Sequence, residues 1–180
     1  MSADYIDSKF ETAGIGTDME GHMAALKHYS SQCSSVVEFG VYDCTSTWAL
    51  LAGRPAKLTS YDIARRDEVA EVEQAAKNSA TEFKFVLAST LETEIEPADL
   101  LFIDSEHTYD HLKKELELHA GKIKKFILFH DTTEFGHKDA STYSGKGLQP
   151  AIDEFMAACP EWHVREVFTH CHGLTVLEKR

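Results

Sequence analysis

Apolar residues in this chain fall into short runs separated by stretches with helical spacing. Val36–Phe39, Leu100–Ile103 and Phe126–Phe129 are near-continuous, Leu58–Ile63 reads as a further strand, and Glu82–Leu87 alternates. Runs this short suit strands buried on both faces, as in a parallel sheet covered by helices. Between them Val69, Val72, Ala75 and Ala76 mark one face of a helix over about 67–78. Leu112, Leu116 and His119 follow the same spacing up to a stop at Gly121. Further helices are expected from Asp18 to about Gln32, over Ser46–Leu51, and over Leu148–Ala158, the last ended by Pro160. Trp162–Phe168 and Gly173–Leu177 read as a closing antiparallel pair with its turn near Thr169–His172. Residues 1–17 are polar and glycine-punctuated and read as an arm or loop. Residues 132–147, rich in Gly, Ser and Thr, form a long loop of the kind that serves as a lid or binding loop. The pattern predicts an N-terminal arm over 1–17 and one α/β domain over 18–180. That domain is doubly wound, with a mostly parallel seven-stranded sheet and an antiparallel C-terminal hairpin.

A length of 180 residues and an apolar fraction of 43% suffice for a core without disulfides. The net charge of −12, with scattered lysines and arginines, argues against a nucleic-acid partner. Cys33, Cys44, Cys159 and Cys171 have neither a metal-site nor a disulfide-framework spacing and are expected to be reduced. The opening Met1-Ser2-Ala3-Asp4-Tyr5 lacks the basic and apolar regions of a signal peptide, and no run approaches a membrane span. A soluble cytoplasmic protein with no membrane partner is expected.

In a sheet of this kind ligands bind outside the carboxyl ends of the strands, and the polar residues that end the apolar runs fall there. The first run ends in Glu38-Phe39-Gly40, and the second in Asp62. No G-x-G-x-x-G follows the first strand, so a pyrophosphate cradle is not expected. An acid at the position of Asp62 can instead accept hydrogen bonds from both ribose hydroxyls of a nucleoside. Gly40 lets backbone approach a ligand closely. Glu38 either meets a cationic amino group or satisfies nearby amides. The segment Glu38-Phe39-Gly40-Val41-Tyr42 with Ser46 resembles the first motif of class I S-adenosylmethionine-dependent methyltransferases, which have a Rossmann-like fold. The likeness is greatest to the catechol-type O-methyltransferases and the metal-dependent sugar and macrolide methyltransferases. The resemblance implies that Tyr42 and Ser46 line the methionine part of S-adenosylmethionine, that Asp62 binds its ribose, and that Ala88, Ser89 and Thr90 flank its adenine. Cys44 departs from the family, which usually has a second glycine there.

Asp104 and the pair His130-Asp131 end two apolar runs whose strands are expected to be neighbours. Oxygen and nitrogen ligands from adjacent strand ends can hold a divalent metal and leave positions for substrate oxygens. His107, three residues beyond Asp104, can face the same cleft and suits proton abstraction from a hydroxyl. These segments also resemble the metal-dependent O-methyltransferases. Asp104 matches a metal carboxylate close to the sulfonium, Asp131 a second ligand, and His107 the catalytic lysine or histidine. His130 stands where an acid is usual, and an imidazole suits Mn²⁺, Fe²⁺ or Zn²⁺ better than Mg²⁺. His130-Asp131 can equally be a structural pair. The run Phe102–Tyr109, the pair His130-Asp131, the tail segments Gly147–Phe155 and Gly173–Leu177, and Gly16-Thr17-Asp18 with His22 are similar to small methyltransferase-like proteins of bacteria and viruses.

The reading is thus O-methylation of a small hydroxylated acceptor, with His107 and Asp104 catalytic and Asp104, His130 and Asp131 available for Mg²⁺ or Mn²⁺. A pocket completed by a second subunit stays open, as do a metal-dependent hydrolase and a catalytically silent S-adenosylmethionine-binding protein. His170-Cys171-His172 is read as a turn, because adjacent residues on a hairpin do not easily converge on one ion.

Overall fold

Alternate side chains of the buried strands enter two separate cores, which is why their apolar runs are continuous. In the computed structural model, which describes residues 3–180, β1 (Ser35–Phe39), β2 (Lys57–Asp62), β3 (Glu82–Leu87), β4 (Ala98–Ile103) and β5 (Ile123–His130) pair in parallel. β6 (Trp162–Phe168) and β7 (Leu174–Lys179) complete a seven-stranded sheet of order β3-β2-β1-β4-β5-β7-β6, with β7 antiparallel to both β5 and β6. The expected doubly wound, mostly parallel sheet with an antiparallel terminal hairpin is the architecture observed.

From β4, Leu100 and Phe102 enter one core with Trp48, Leu51 and Val72, while Leu101 and Ile103 enter the other with Leu112, Leu116 and Ile152. The first core lies under α1 (Ala3–Ala13), α2 (Met23–Ser30), α3 (Thr45–Ala52) and α4 (Glu68–Ala76). The second lies under α5 (Tyr109–His119), followed by a 3₁₀ turn at 120–122, and α6 (Leu148–Ala158). Phe102 and Phe129 are fully buried, and burial of a side chain that size stabilises by about 1.5–3 kcal/mol. α5 starts at Thr108, whose extended backbone and hydroxyl, accepting from the His111 N–H, make an N-cap.

The N-terminal segment differs from the expectation of an arm or loop. Over Ala3–Ala13 it is a helix, with Ile6 fully buried and the Tyr5 ring edge-on to Trp48 at 6.1 Å. Lys9 pairs with Glu71 at 2.8 Å, and the Tyr5 hydroxyl donates to the same carboxylate. Its apolar stripe is thin, and docking on α3 supplies what helix propensity alone does not. The next helix is also shorter than expected, since residues 17–22 form successive turns and α2 begins at Met23. Gly21 falls within these turns, where a Cβ would lie 2.5 Å from the His170 ring. All four cysteines are free thiols, and among the described residues no helix is long and apolar enough to cross a membrane.

Candidate active site

The strands that carry the polar residues end level with one another. Phe39 is in register with both Tyr61 and Ile103, and Ile103 with Phe129. Gly40, Asp62, Asp104 and His130 therefore leave the sheet at one height. The chain order reverses between β1 and β4, and such a reversal opens a crevice at the strand ends. A cleft of about 640 Å³ lies there, lined at one end by Gly40, Asp62 and Ser89 and at the other by Asp104, His107 and Asp131.

At the first end the chain is bound tightly to itself. Gly40 has φ of +83°, and a Cβ on it would lie 2.0 Å from the Asp104 carbonyl oxygen. The close approach that requires glycine is thus to β4's own continuation rather than to a ligand. Asp62 Oδ2 accepts from the Val41 and Tyr42 N–H groups at 2.8 and 3.1 Å, and Oδ1 from Ala64 N–H at 2.9 Å. Glu38 is fully buried and does not line the cleft. Its carboxylate accepts from the Ser46, Thr47 and Ser60 hydroxyls at 2.6, 2.9 and 2.5 Å, tying β1 to α3 and β2. Burial raises its pKa to about 7 although all three hydroxyls act to lower it. Tyr42 and Ser46 both line the cleft, Tyr42 exposed with the Arg66 guanidinium 4.0 Å from its ring centroid. Ala88, Ser89 and Thr90 form the cleft wall beyond Asp62.

The opposite end is crowded with ionisable groups. His107 Nε2 lies 3.0 Å from Asp104 Oδ1 and 3.1 Å from Asp131 Oδ2. Burial pushes the His107 pKa down, but the Asp104 hydrogen bond and both carboxylates outweigh it, so the net direction is up. Burial would raise Asp104, yet the His107 and His130 imidazoles hold it well below the usual carboxylate range. For Asp131 burial prevails over the same imidazoles, and its pKa is raised. His130 Nδ1 faces Asp104 Oδ1 at 3.5 Å and Asp131 Oδ1 at 3.3 Å. Its Nε2 lies 3.0 Å from Nδ1 of His22, whose pKa falls to about 4 through burial and the neighbouring His130 and His170.

Asp104, His107 and Asp131 bring three donor atoms within 4.8 Å of one another. That compact group contains His107, whereas His130 stands beside it. Two carboxylates and an imidazole suit Mn²⁺, Fe²⁺ or Zn²⁺, and Asp131 Oδ1, buried with no hydrogen-bond partner, marks unused donor capacity.

Comparison with known proteins bears on the fold that carries these residues. No protein-family model matches the chain, and no curated protein matches it in sequence. Among solved structures it is similar to an O-methyltransferase from Bacillus cereus in complex with S-adenosylhomocysteine, with a TM-score of 0.68, 15% identity, and 99% and 90% of the two chains covered. It is also similar to the N-methyltransferase NodS from Bradyrhizobium japonicum WM9 bound to S-adenosyl-L-homocysteine (TM-score 0.66, 14% identity, 98% and 97% covered). A third similar structure is S-adenosylhomocysteine-bound methyltransferase PaMTH1 from Podospora anserina (TM-score 0.64, 16% identity, 98% and 88% covered). The chain has the class I methyltransferase fold.

Within that methyltransferase fold, Cys44 keeps a backbone suited to glycine: φ is +67° and ψ +16°, with the side chain fully buried at the start of α3. A non-glycine residue held there carries about 1–3 kcal/mol of strain. Several site residues escaped sequence reasoning. Phe135, from the 132–147 loop, stacks on His107 with ring planes 3° apart, and the His107 carbonyl accepts from Ala140 N–H. Ile63, directly after Asp62, lines the cleft and is 79% exposed. His172, on the β6–β7 turn, reaches Asp131 Oδ1 at 3.2 Å. The sequence signals Ile63 by its place beside the strand-end acid, Phe135 by its place in the 132–147 binding loop, and His172 by the His170-Cys171-His172 run that reads only as a turn. The partners of each are long-range and not legible in the sequence.

Proposed function

We propose that this protein is an S-adenosylmethionine-dependent methyltransferase acting on the hydroxyl group of a small acceptor. The observation that carries the proposal is one cleft, on a methyltransferase fold, that joins an end lined by Gly40, Asp62, Ile63 and Ser89 to a cluster able to take a proton. Its volume of about 640 Å³ suits a small-molecule site.

Asp62, at the end of β2, has lone pairs left for a ribose hydroxyl beyond its three backbone bonds. Ile63 offers an exposed apolar seat for adenine beside Ser89. When bound, the cofactor supplies an electrophilic methyl group on a sulfonium, and a divalent cation on Asp104, His107 and Asp131 would acidify the acceptor hydroxyl. In the absence of a cation, the His107 imidazole takes the hydroxyl proton, and the carboxylates flanking its Nε2 stabilise the positive charge it gains. Phe135 holds the imidazole plane, so the ring need not reorganise. The acidic net charge favours a small-molecule substrate over nucleic acid. A metal-dependent hydrolase would use the same donors but leaves the exposed face of Ile63 and the cleft beside Ser89 unused.

Calorimetric titration with S-adenosylhomocysteine, with and without Mn²⁺, tests the proposal. Micromolar binding is expected and would justify screening hydroxylated acceptors; absence of binding under both conditions would sink it.

A further inference from the structure

Asp131 is a two-sided residue. Its Oδ2 faces His107 and the main cleft, while its Oδ1 points away toward His172. That second oxygen is buried and has no hydrogen-bond partner, in a residue only 4% exposed. A buried carboxylate oxygen that no hydrogen bond satisfies has capacity left for a ligand. Two imidazole nitrogens surround it, His172 Nδ1 at 3.2 Å and His130 Nδ1 at 3.3 Å, and neither forms a hydrogen bond with it. His172 Nδ1 also lies 3.5 Å from Asp18 Oδ2. Asp18, Asp131 and His172 therefore present three donor atoms within 4.8 Å of one another, apart from the Asp104–His107–Asp131 group.

We propose that Asp18, Asp131 and His172 form a divalent-cation site that fastens the 17–22 loop to the β6–β7 turn. The three donors come from three separate parts of the chain. Asp18 belongs to the turns before α2, Asp131 follows β5, and His172 lies on the turn of the terminal hairpin. The turn is held before any ion arrives, since the His172 carbonyl accepts from both the Thr133 and Glu134 N–H groups at 2.8 and 3.0 Å. Two carboxylate oxygens and one imidazole nitrogen select Mn²⁺, Fe²⁺ or Zn²⁺ over Ca²⁺ or Mg²⁺. Because Thr17, Asp18 and Met19 line the cleft, an ion here fixes the wall facing Asp104 and His107. The site shares Asp131 with the Asp104–His107–Asp131 group, but binding of an ion there does not require methyl transfer.

The experiment is titration of the chelator-treated full chain with Mn²⁺, following free Mn²⁺ by electron paramagnetic resonance. Wild type should take up Mn²⁺ at this site, Zn²⁺ should displace it, and H172A and D18N should each weaken that uptake at least about tenfold. Asp18 and His172 are exposed, so both variants should fold, which circular dichroism checks. D104N should leave the same class of binding in place. No uptake by wild type, or uptake unchanged by H172A, would overturn the site. Titration of the same samples with S-adenosylhomocysteine separates the two proposals: nucleoside binding without Mn²⁺ uptake defeats the cation site alone, and Mn²⁺ uptake without nucleoside binding defeats the methyltransferase reading alone.

Discussion

The two ends of the cleft are built on opposite principles. At the Gly40 end the acids Glu38 and Asp62 are met by three hydroxyls and three backbone N–H groups. At the Asp131 end, buried polar atoms of His130 and Asp131 lack hydrogen-bond partners, and imidazoles and carboxylates crowd one another. A region whose polar groups are satisfied internally is finished by folding alone. A region with orphaned buried donors and acceptors is complete only with something bound or with a proton to move.

Four changes would break or sharpen this contrast. The largest effect is expected from His107→Ala, which should lower turnover by about 10²–10⁴-fold while sparing S-adenosylhomocysteine affinity. Acceptor screening with labelled S-adenosylmethionine reads the first quantity and calorimetry the second. Wild-type turnover should also rise with pH through a pKa above the usual histidine value, because His107 must be neutral to take a proton.

Gly40→Ala should destabilise the finished end by at least about 1–3 kcal/mol, since it combines a left-handed backbone with a Cβ 2.0 Å from the Asp104 carbonyl. Urea unfolding measures the loss. An unchanged midpoint would mean that β1 and β4 do not approach as described.

Glu38 gives the contrast a pH signature. Its folded pKa of about 7 lies above the 4.5 of an ordinary glutamate, so between these values the native state holds the extra proton. Stability should therefore decline as pH rises from about 4.5 to 7, by up to about 3 kcal/mol from this group. In Glu38→Gln the decline over that window should be shallower, which melting temperature against pH for both proteins would reveal.

The smallest effect is expected from Asp62→Asn, with S-adenosylhomocysteine binding weakened roughly tenfold, or about 1.4 kcal/mol. Because Asp62 also staples the Val41–Tyr42 turn, the melting temperature should fall as well. On sequence grounds alone its removal would be expected to harm binding far more than stability; the three backbone bonds narrow that gap.

The strands, the β–α alternation and the terminal hairpin were legible because period and run length are local properties of the chain. The acids and histidines at the strand ends were legible for the same reason: an apolar run that stops abruptly shows where its strand emerges. What each of those residues touches was not. Glu38 looked ready for a ligand, yet it turns inward to Ser46, Thr47 and Ser60, a contact that needs β1, α3 and β2 assembled. α1 was hidden because a thin apolar stripe becomes a stable helix only when α3 is there to cover it.

By itself, then, the sequence determined the element types beyond α1, the α/β class and the residues that would stand at one edge of a parallel sheet. The tertiary structure alone decided that β7 rather than β6 pairs with β5, that Phe135 stacks on His107, and that Asp18 and His172 meet at Asp131. These contacts join residues far apart in the chain, and nothing in local periodicity encodes which distant segments pair. That choice belongs to the burial of both sheet faces, satisfied by the fold as a whole.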